Sequence, residues 1–555
     1  MKTLSAIDLL CAITRAWRDQ RGQVAVIFAL ALIPIMCFVG SSVDYTRAVT
    51  SRSNLQQATD ATILAVSKFA QDGSSVAQIR AQAVTYLQAV STDPYAAISG
   101  DPTVSADKTK VCLNTTSHVD TAIMRIVRIN QLAVSASACT VTNNATFEIA
   151  MVLDTTGSMA NSDGKNSKIS SMRTAADQFV DYMYTSTTLA SRVKISVVPF
   201  AASVAVDTSY RSAAWVDVTG QASSHFNSPL FTGYSGLASN RFTIYGWLKS
   251  INSNWDWHGC FEDQLYPANV NDTPPTSATP DTLFIPMLAP DEPDPTYKTG
   301  KNNTTADDPY TYNNDYLDDN SATCTGAQPT GSTLADETAK QSRVCKYKNG
   351  TRTTSYPGSY GPQYGCTSAP LQRMTSSSTT LKAKIDGLQA AGNTNIHQGF
   401  MWGWRTLSPN LPFADGGAYG APDLVKIIVL MTDGMNTWSD TNSTVDGSEY
   451  GPYGYYNTAN SRLPATNRNV TTGSGARNAI DALTREACGN ARTAGVIIYT
   501  IGFSVSTDPI DSQGLQLLRD CAGNTSRSFV ANNSTSLITT FAHIGSNIGT
   551  LRISN

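Results

Sequence analysis

The segment Phe147–Met159, FEIAMVLDTTGSM, decides the fold of the larger part of the chain. Its first seven residues are almost all apolar, which is typical of a strand buried on both faces of a parallel sheet. A carboxylate and several hydroxyl side chains follow directly where that strand ends. Two further polar pieces occur later in the chain, GNTN at 392–395 and MTDG at 431–434. The first opens a predicted helix, and the second ends another apolar run.

Apolar runs and amphipathic segments alternate from residue 146 onward. The strands predicted after the first one are 193–200, 426–431, 496–501 and 527–531. The predicted helices are 168–184, 381–388, 396–406, 476–493, 513–520 and 534–547. This alternation predicts an α/β domain with a doubly wound, mostly parallel sheet that is covered on both faces. We assign 146–203 and 377–552 to this domain.

Two long polar stretches, 204–376 and 437–475, interrupt the alternation and are predicted to be insertions. The first contains four cysteines and an aromatic cluster, which indicates that part of it is folded. Its aromatic residues either form a local hydrophobic core or a recognition surface. The cluster consists of Trp247, Trp255, Trp257 and Phe261.

The three polar pieces fall where loops beyond the carboxyl ends of parallel strands would lie, which is where such sheets bind ligands. They supply the carboxylates of Asp154 and Asp433 and the hydroxyls of Thr156, Ser158 and Thr394. Oxygen ligands suit a divalent cation such as Mg²⁺, Ca²⁺ or Mn²⁺. Each piece alone is also explained by a helix cap or a turn. Together they predict a cation site.

This pattern resembles the metal-ion-dependent adhesion site of von Willebrand factor A-type domains, D-x-S-x-S followed by a distant Thr and a distant Asp. By position, the resemblance implies that Asp154, Thr156, Ser158, Thr394 and Asp433 hold the ion. Thr156 stands where serine is usual, so the hydroxyl is kept and a methyl group is added. The resemblance implies a Rossmann-like fold, and an ion with an open position that an acidic side chain of a protein partner fills.

Other kinds of chemistry have little support in the sequence. No P-loop, HExxH or GxSxG motif occurs, so we predict that the protein is not an enzyme. His397 lies near the predicted site, and we expect it to pack rather than to act as a base. The net charge of −3 and a pI near 6.0 give no indication of nucleic acid as a partner.

The uncharged run at 24–43, VAVIFALALIPIMCFVGSSV, is long enough to cross a bilayer as a helix. Basic residues precede it, so we predict a cytoplasmic segment at 1–22, a transmembrane helix at 23–43 and export of the rest of the chain. A cleaved signal peptide is the alternative. A helical pattern continues beyond the run, and strand-like patterns come after it. We therefore predict a helical stalk and a small pilin-like α+β module over 44–145.

The N-terminal segment also resembles a known family. RGQVAVIFAL at 21–30 and VDYTRA at 43–48 look like the N-terminal segment of TadE/TadG-like pilus-assembly proteins. Relatives that are processed like prepilins are cut after a glycine equivalent to Gly22 and carry a glutamate five residues later. That position is Ile27 here, so we expect a permanent single-pass anchor in a bacterial envelope, with the main domains periplasmic or on the surface.

Eight of the ten cysteines follow the apolar run, and an even number on one side of a membrane indicates disulfides. We predict the pairs Cys112–Cys139 and Cys488–Cys521. The pairing of the four cysteines in the first insertion stays open, and unpaired core cysteines are the alternative. Those four are Cys260, Cys324, Cys345 and Cys366.

The two resemblances together imply a TadG-like protein that helps to assemble, anchor or stabilise a Tad/Flp-type pilus. Its cation site would bind a carboxylate of a pilus component. A surface adhesin that works without a pilus is the first alternative. The second is an A domain that partners an ATPase, as in chelatases, although the predicted export and the missing nucleotide motif count against it.

Overall fold

The chain divides into two compact units, residues 1–144 and 145–555, in a computed structural model. The larger part of the predicted cytoplasmic segment lies outside the residues that the structure describes. Described are 20–71, 74–105, 110–141, 145–185, 187–227, 230–294, 312, 314–319, 321, 323–326, 329–331, 333–352, 361–439, 441, 444–456, 461–467 and 470–550.

The first unit is built on one continuous helix, α1, Gln20–Gln71. Its part Ile27–Ser67 is long and apolar enough, by length and composition, to cross a membrane. Pro34 lies inside this helix without ending it. A second helix, α2, Val76–Val90, begins at a capping box in which Ser75 and Gln78 satisfy each other's backbone N–H groups.

A small antiparallel sheet packs against α1 in this unit. Its strands are β1, Ala97–Ile98; β2, Thr103–Val104; β3, Lys110–Asp120; and β4, Gln131–Val141. The central strand β3 pairs with the other three. Cys112 and Cys139 lie directly opposite each other on β3 and β4 and form the predicted disulfide. Leu55, Ile63 and Val66 of α1 lie in the hydrophobic clusters that cover this sheet.

The second unit contains a six-stranded sheet of the order β10-β9-β8-β5-β6-β7. All neighbouring strands are parallel except the edge strand β7, which runs antiparallel to β6. The strands are β5, Thr146–Asp154; β6, Val193–Phe200; β7, Gln372–Thr375; β8, Leu424–Thr432; β9, Ile497–Phe503; and β10, Ser528–Ala531. The chain therefore starts in the middle of the sheet and extends it first to one side and then to the other.

Helices cover both faces of this sheet, because side chains of successive β5 residues enter two different cores. Ile149 and Met151 pack in a core with residues of the helices Lys168–Thr185 and Ser534–Thr550, whereas Ala150 and Val152 pack in a core with residues of the helix Ile396–Leu407. The helices are α3, Lys168–Thr185; α4, Thr187–Ala190; α5, Arg241–Ile251; α6, Leu334–Gln341; α7, Ser378–Asp386; α8, Ile396–Leu407; α9, Gly473–Thr493; α10, Ser512–Ala522; and α11, Ser534–Thr550.

The predicted first insertion extends too far at its end. Residues 372–375, which we assigned to the insertion 204–376, form the edge strand β7. Four half-buried residues, QRMT, give neither an apolar run nor a clear alternation, so their pairing depends on the neighbouring strand β6. The insertion is accordingly shorter, and the sheet has one strand more than the sequence indicates.

Both insertions share the hydrophobic core of one sheet face. Trp255, Trp257 and Phe261 are buried in it, and the ring of Phe261 stacks on that of Trp402 in α8. The aromatic cluster is therefore neither a separate small core nor an exposed surface. All residues of α8 are buried, because the helix packs against the sheet and against the insertions.

Buried ion pairs and disulfides hold the insertions in place. The carboxylate of Glu262 pairs with Arg241 in the same insertion and with Arg462 in the second insertion. All three side chains are buried, so removing one of them would leave a buried charge without compensation. The first insertion contains the disulfides Cys260–Cys366 and Cys324–Cys345, and the predicted pair Cys488–Cys521 joins α9 to α10.

We expect Gly399→Ala in α8 to destabilise the protein by about 2 kcal/mol, because the added methyl overpacks the core. A Cβ atom at this position would lie 2.5 Å from Cγ of Phe200. Gly246→Ala at an exposed position of α5 is the matched control, since its Cβ atom would meet open space. That change should gain about 0.5 kcal/mol from helix propensity. Urea unfolding of both variants measures the change in the free energy of unfolding. Equal changes in the two variants would show that α8 does not need a glycine at position 399.

Candidate cation site

The predicted cation ligands meet at the carboxyl edge of the six-stranded sheet. Strand β5 ends at Asp154 and its parallel neighbour β8 ends at Thr432, directly before Asp433. Strand β6 flanks β5 on the other side. The chain order reverses at β5, and open α/β sheets bind ligands outside the carboxyl ends of strands at such a reversal.

Asp154 is fully buried and is oriented by two hydrogen bonds. Its Oδ1 atom accepts the backbone N–H of Thr156 at 2.8 Å, and its Oδ2 atom accepts the hydroxyl of Thr432 at 2.6 Å. The second bond joins the ends of β5 and β8 through side chains. The carboxylate therefore has one fixed direction beneath the hydroxyl groups of the following loop.

The hydroxyls of Thr156 and Ser158 connect the loop after β5 to Asp433. Their oxygen atoms lie 3.1 Å apart, and Ser158 Oγ donates to Asp433 Oδ1 at 2.8 Å. A short 3₁₀-helix, Gly157–Ala160, carries Ser158. The backbone N–H of Gly157 donates to the carbonyl oxygen of Gly392 at 2.8 Å, which fixes this loop against the one before α8.

Thr394 comes to the same place from the loop before α8. Its backbone N–H donates to Thr437 Oγ1 at 2.9 Å, and its carbonyl oxygen accepts the N–H of Thr437 at 2.9 Å. Thr394 lines one open cleft of about 290 Å³ together with Thr156, Ser158 and Asp433. The structure thus brings all five predicted residues together, with Asp154 bonded to the loop that forms the cleft. Their role as metal ligands stays a prediction.

A buried lysine, which the sequence did not indicate, also belongs to this site. Lys168 is the first residue of α3, and its side chain is fully buried. Its Nζ atom donates to Asp433 Oδ2 at 2.8 Å and to Asp508 Oδ2 at 2.7 Å. Asp508 lies in the loop after β9, where it also accepts a hydrogen bond from Asn161 and lines the cleft.

The charges of Asp154, Asp433 and Lys168 are shielded from water and act on one another, whereas Asp508 is partly exposed. Burial raises the pKa of Asp154 to about 7, and the negative charge of Asp433 adds to this effect. Burial also raises the pKa of Asp433, although Lys168 opposes the shift. Burial lowers the pKa of Lys168, but its hydrogen bonds to Asp433 and Asp508 outweigh this, so that the pKa rises. Three carboxylates against one ammonium leave the ionised site with an excess of negative charge.

His397 has a packing role beside the site. It is fully buried in α8, and burial lowers the pKa of its ring. Its Nδ1 atom is 2.7 Å from the hydroxyl oxygen of Tyr453, and its Nε2 atom is 2.8 Å from the carbonyl oxygen of Asn269. Both ring nitrogens are thus occupied by residues of the insertions, and neither points into the cleft.

The comparison with known families concerns the N-terminal part of the chain. Residues 22–83 match the family model described as putative Flp pilus-assembly TadE/G-like. These residues form a TadE/G-like segment. The segment comprises most of α1, including its apolar run, and the first half of α2. The resemblance read from 21–30 and 43–48 is thereby confirmed.

No curated protein matches the chain. Some solved structures are similar to it. One is a mutant of the PilB minor pilin from Streptococcus sanguinis, with 12% identity, a TM-score of 0.30 and coverage of 82% of this chain and 78% of that one. Another is the vWF domain of the type V pili tip protein Mfa5 from Porphyromonas gingivalis, with 11% identity, a TM-score of 0.30 and coverage of 74% of this chain and 98% of that one. A third is the adhesive tip pilin GBS104 from Group B Streptococcus agalactiae, with 11% identity, a TM-score of 0.32 and coverage of 73% of this chain and 100% of that one. These TM-scores are low, so the description of the fold depends on the strand order and not on these likenesses.

We expect Lys168→Met to destabilise the protein on the order of 3 kcal/mol, because the buried Asp433 would lose its counter-charge. Lys165→Met is the matched control, since Lys165 is exposed in the same loop region. That change should stay within about 0.5 kcal/mol of the parent. Urea unfolding in the presence of EDTA measures both effects. Similar stability of the two variants would show that Lys168 is not needed to compensate Asp433.

Proposed function

We propose that the second unit is a von Willebrand factor A-type domain with two insertions. Counted along the chain from β5, its strands lie in the order 3-2-1-4-5-6, which is a doubly wound order. Helices cover both faces, and the third strand is the antiparallel edge. The D-x-T-x-S loop, the Thr394 loop and Asp433 lie at the edge of the sheet where open α/β sheets generally bind ligands, which supports the proposal.

The candidate site is proposed to bind a divalent cation, Mg²⁺, Ca²⁺ or Mn²⁺. The observation that supports this is the donor set. Three hydroxyls and the carboxylate of Asp433 line one cleft, and the buried carboxylate of Asp154 is bonded to the loop that carries two of these hydroxyls. Oxygen donors of this kind fit hard cations. The residues that would hold the ion are Asp154, Thr156, Ser158, Thr394 and Asp433.

When bound, the ion would supply a Lewis-acidic position for a carboxylate of a protein partner. The chain's own residues prepare the site. Thr432 and the Thr156 amide orient Asp154, while Ser158 and Lys168 each hold one oxygen of Asp433. Lys168 also reduces the negative charge of the site, so an ion held there would be less fully neutralised by protein carboxylates.

The surroundings of the cleft favour a macromolecular partner. A larger cleft, about 720 Å³, adjoins it, and Gly392 and Asn393 line both. Its other walls come mostly from the insertions and mix aromatic, amide and charged side chains, among them Tyr364, Gln363 and Glu449. Such a mixed surface next to an ion suits a protein that presents an acidic residue.

The function that fits best is a membrane-anchored component of pilus assembly or pilus-mediated adhesion, without enzymatic activity. The TadE/G-like segment and the long apolar helix α1 support it. In this proposal α1 is the single-pass anchor with its N-terminus in the cytoplasm. The second unit would lie on the exported side and engage a pilus component through the cation.

Thr156→Val tests the cation, because valine keeps the shape of threonine and removes the hydroxyl. We expect Mn²⁺ affinity, measured by calorimetry on the full chain in detergent, to fall at least about tenfold, or about 1.4 kcal/mol. Thr156→Ser should bind Mn²⁺ as well as the parent does.

Two further variants complete the test of Mn²⁺ binding. Asp181→Asn is the control, because it removes an exposed carboxylate of α3 that pairs with Lys382 away from the cleft. Lys168→Met should bind Mn²⁺ more tightly, since the competing positive charge is gone. Absence of Mn²⁺ binding in the parent protein, or equal affinity of Thr156→Val, would contradict the cation site.

The partner is tested by retention of the full chain on purified Flp-type pilus filaments of the same bacterium. We expect retention in Mg²⁺, its loss in EDTA, and its loss in Thr156→Val but not in Asp181→Asn. Retention that changes neither in EDTA nor in Thr156→Val would show that the cation has no part in binding the filament. Attachment of cells that lack the pilus, with no retention on filaments, would favour the independent adhesin.

A further inference from the structure

The loop between β3 and β4 exposes apolar side chains that the proposed function does not use. We call residues 122–130, AIMRIVRIN, the β3–β4 loop. Ile126, Val127 and Ile129 are 75%, 55% and 41% exposed. They are neighbours in a tight turn in which the 3₁₀-helix Met124–Val127 ends at Arg128 in the left-handed region, φ 67°. The turn therefore presents them together as one small patch.

This loop is fixed to α1 at the end of its apolar run. The buried carboxylate of Asp44 accepts the backbone N–H groups of Ala122, Ile123 and Met124 at 2.9, 2.9 and 2.8 Å. A Cβ atom on Gly40 would overlap the side chain of Ile123, so only glycine permits this close approach. The β3–β4 loop thus lies beside residues 40–44 of α1.

The position along α1 sets the height of the loop relative to a bilayer. The uncharged residues 24–43 form about 30 Å of helix, which equals the thickness of the hydrocarbon core. Asp44 is the first charged residue after them. If α1 crosses the membrane with this run, residues 40–44 lie at the boundary between acyl chains and headgroups. The β3–β4 loop lies at the same level.

We propose that the β3–β4 loop is a membrane-contact site, in which Ile126, Val127 and Ile129 enter the acyl–headgroup boundary of the bilayer that α1 crosses. The inference rests on the anchoring role of α1 in the proposed function. Apolar side chains next to basic ones are typical of segments that lie in this boundary. The three N–H groups bonded to Asp44 reduce the cost of placing the backbone there, because unsatisfied amides are expensive away from water.

The charges of the loop fit lipid phosphates. Arg125 and Arg128 alternate with the apolar residues of the loop and are exposed. Among the residues that the structure describes, no carboxylate forms an ion pair with either one. Arginines at this height attract the phosphate groups of anionic lipids. The exposed Tyr45, next to Asp44, is a residue type that is enriched at the same boundary.

The test places a fluorophore on the full chain in nanodiscs of phosphatidylcholine and phosphatidylglycerol. Eight of the ten cysteines form the four described disulfides, and Cys11→Ser and Cys37→Ala remove the remaining two. Val127→Cys carries the label in the loop. Val76→Cys is the matched control, because it is exposed beyond the far end of α1, about 40 Å of helix from Asp44.

Lipids with a doxyl group near the headgroup should quench the label at 127 about twofold more than the label at 76, since only the former lies within the boundary. Adding Ile126→Ser and Ile129→Ser to the labelled protein should reduce this difference. Equal quenching at 127 and 76 overturns the proposal. So does a label at 127 that is shielded from water but not quenched, which is the result expected if a second protein covers the loop.

A third label separates this proposal from the anchoring role on which it rests. Phe38→Cys lies in the apolar run, where Phe38 is 80% exposed. Quenching at 38 by lipids with a deep doxyl group, without quenching at 127, rejects only the membrane contact of the loop. No quenching at 38 rejects the anchor itself.

Discussion

The parallel pairing of β5 with β6 on one side and with β8 on the other is the constraint on which the larger unit depends. It buries β5 on both faces, and the polar groups that face the cleft follow at its carboxyl end. Asp154 stands at that end and is joined to the end of β8 through Thr432. The loops that follow β5 and β8, and the loop before α8, are therefore held within hydrogen-bonding reach of one another. The predicted ligands that line the cleft therefore depend on this pairing for their positions.

Much of this arrangement is encoded locally and could be predicted. Residues 147–153 and 426–431 are apolar runs that indicate buried strands, and Asp154, Thr156, Ser158, Thr394 and Asp433 stand in short motifs beside predicted elements. The structure brings these five together as the pattern indicates. Cys112 and Cys139 were predictable for a similar reason, since two strand-like segments close to each other in sequence pair naturally.

The features that could not be predicted depend on contacts between distant residues. Lys168 looks like any lysine at the start of an amphipathic helix, and its partners Asp433 and Asp508 are far away in sequence. Strand β7 is too short and too polar to be recognised as a strand from the sequence. The insertions have little periodicity, so nothing local reveals that Trp255 and Phe261 pack in the core of the sheet, or that Glu262 and Arg462 pair between insertions. These contacts join residues that are distant in sequence, so they exist only in the folded chain.

The bond between Asp44 and the β3–β4 loop also has a mechanical side. Helix α1 runs without interruption from Gln20 to Gln71, and the small sheet is fastened to it by packing and by three hydrogen bonds at one carboxylate. No hinge separates the part of the helix that carries the sheet from the apolar part. A force that pulls on the sheet is therefore transmitted directly to the helix. The three hydrogen bonds to Asp44 would share this force, because they join the same two elements at one point. A force on this sheet would therefore act on a stiff helix and not on a flexible linker.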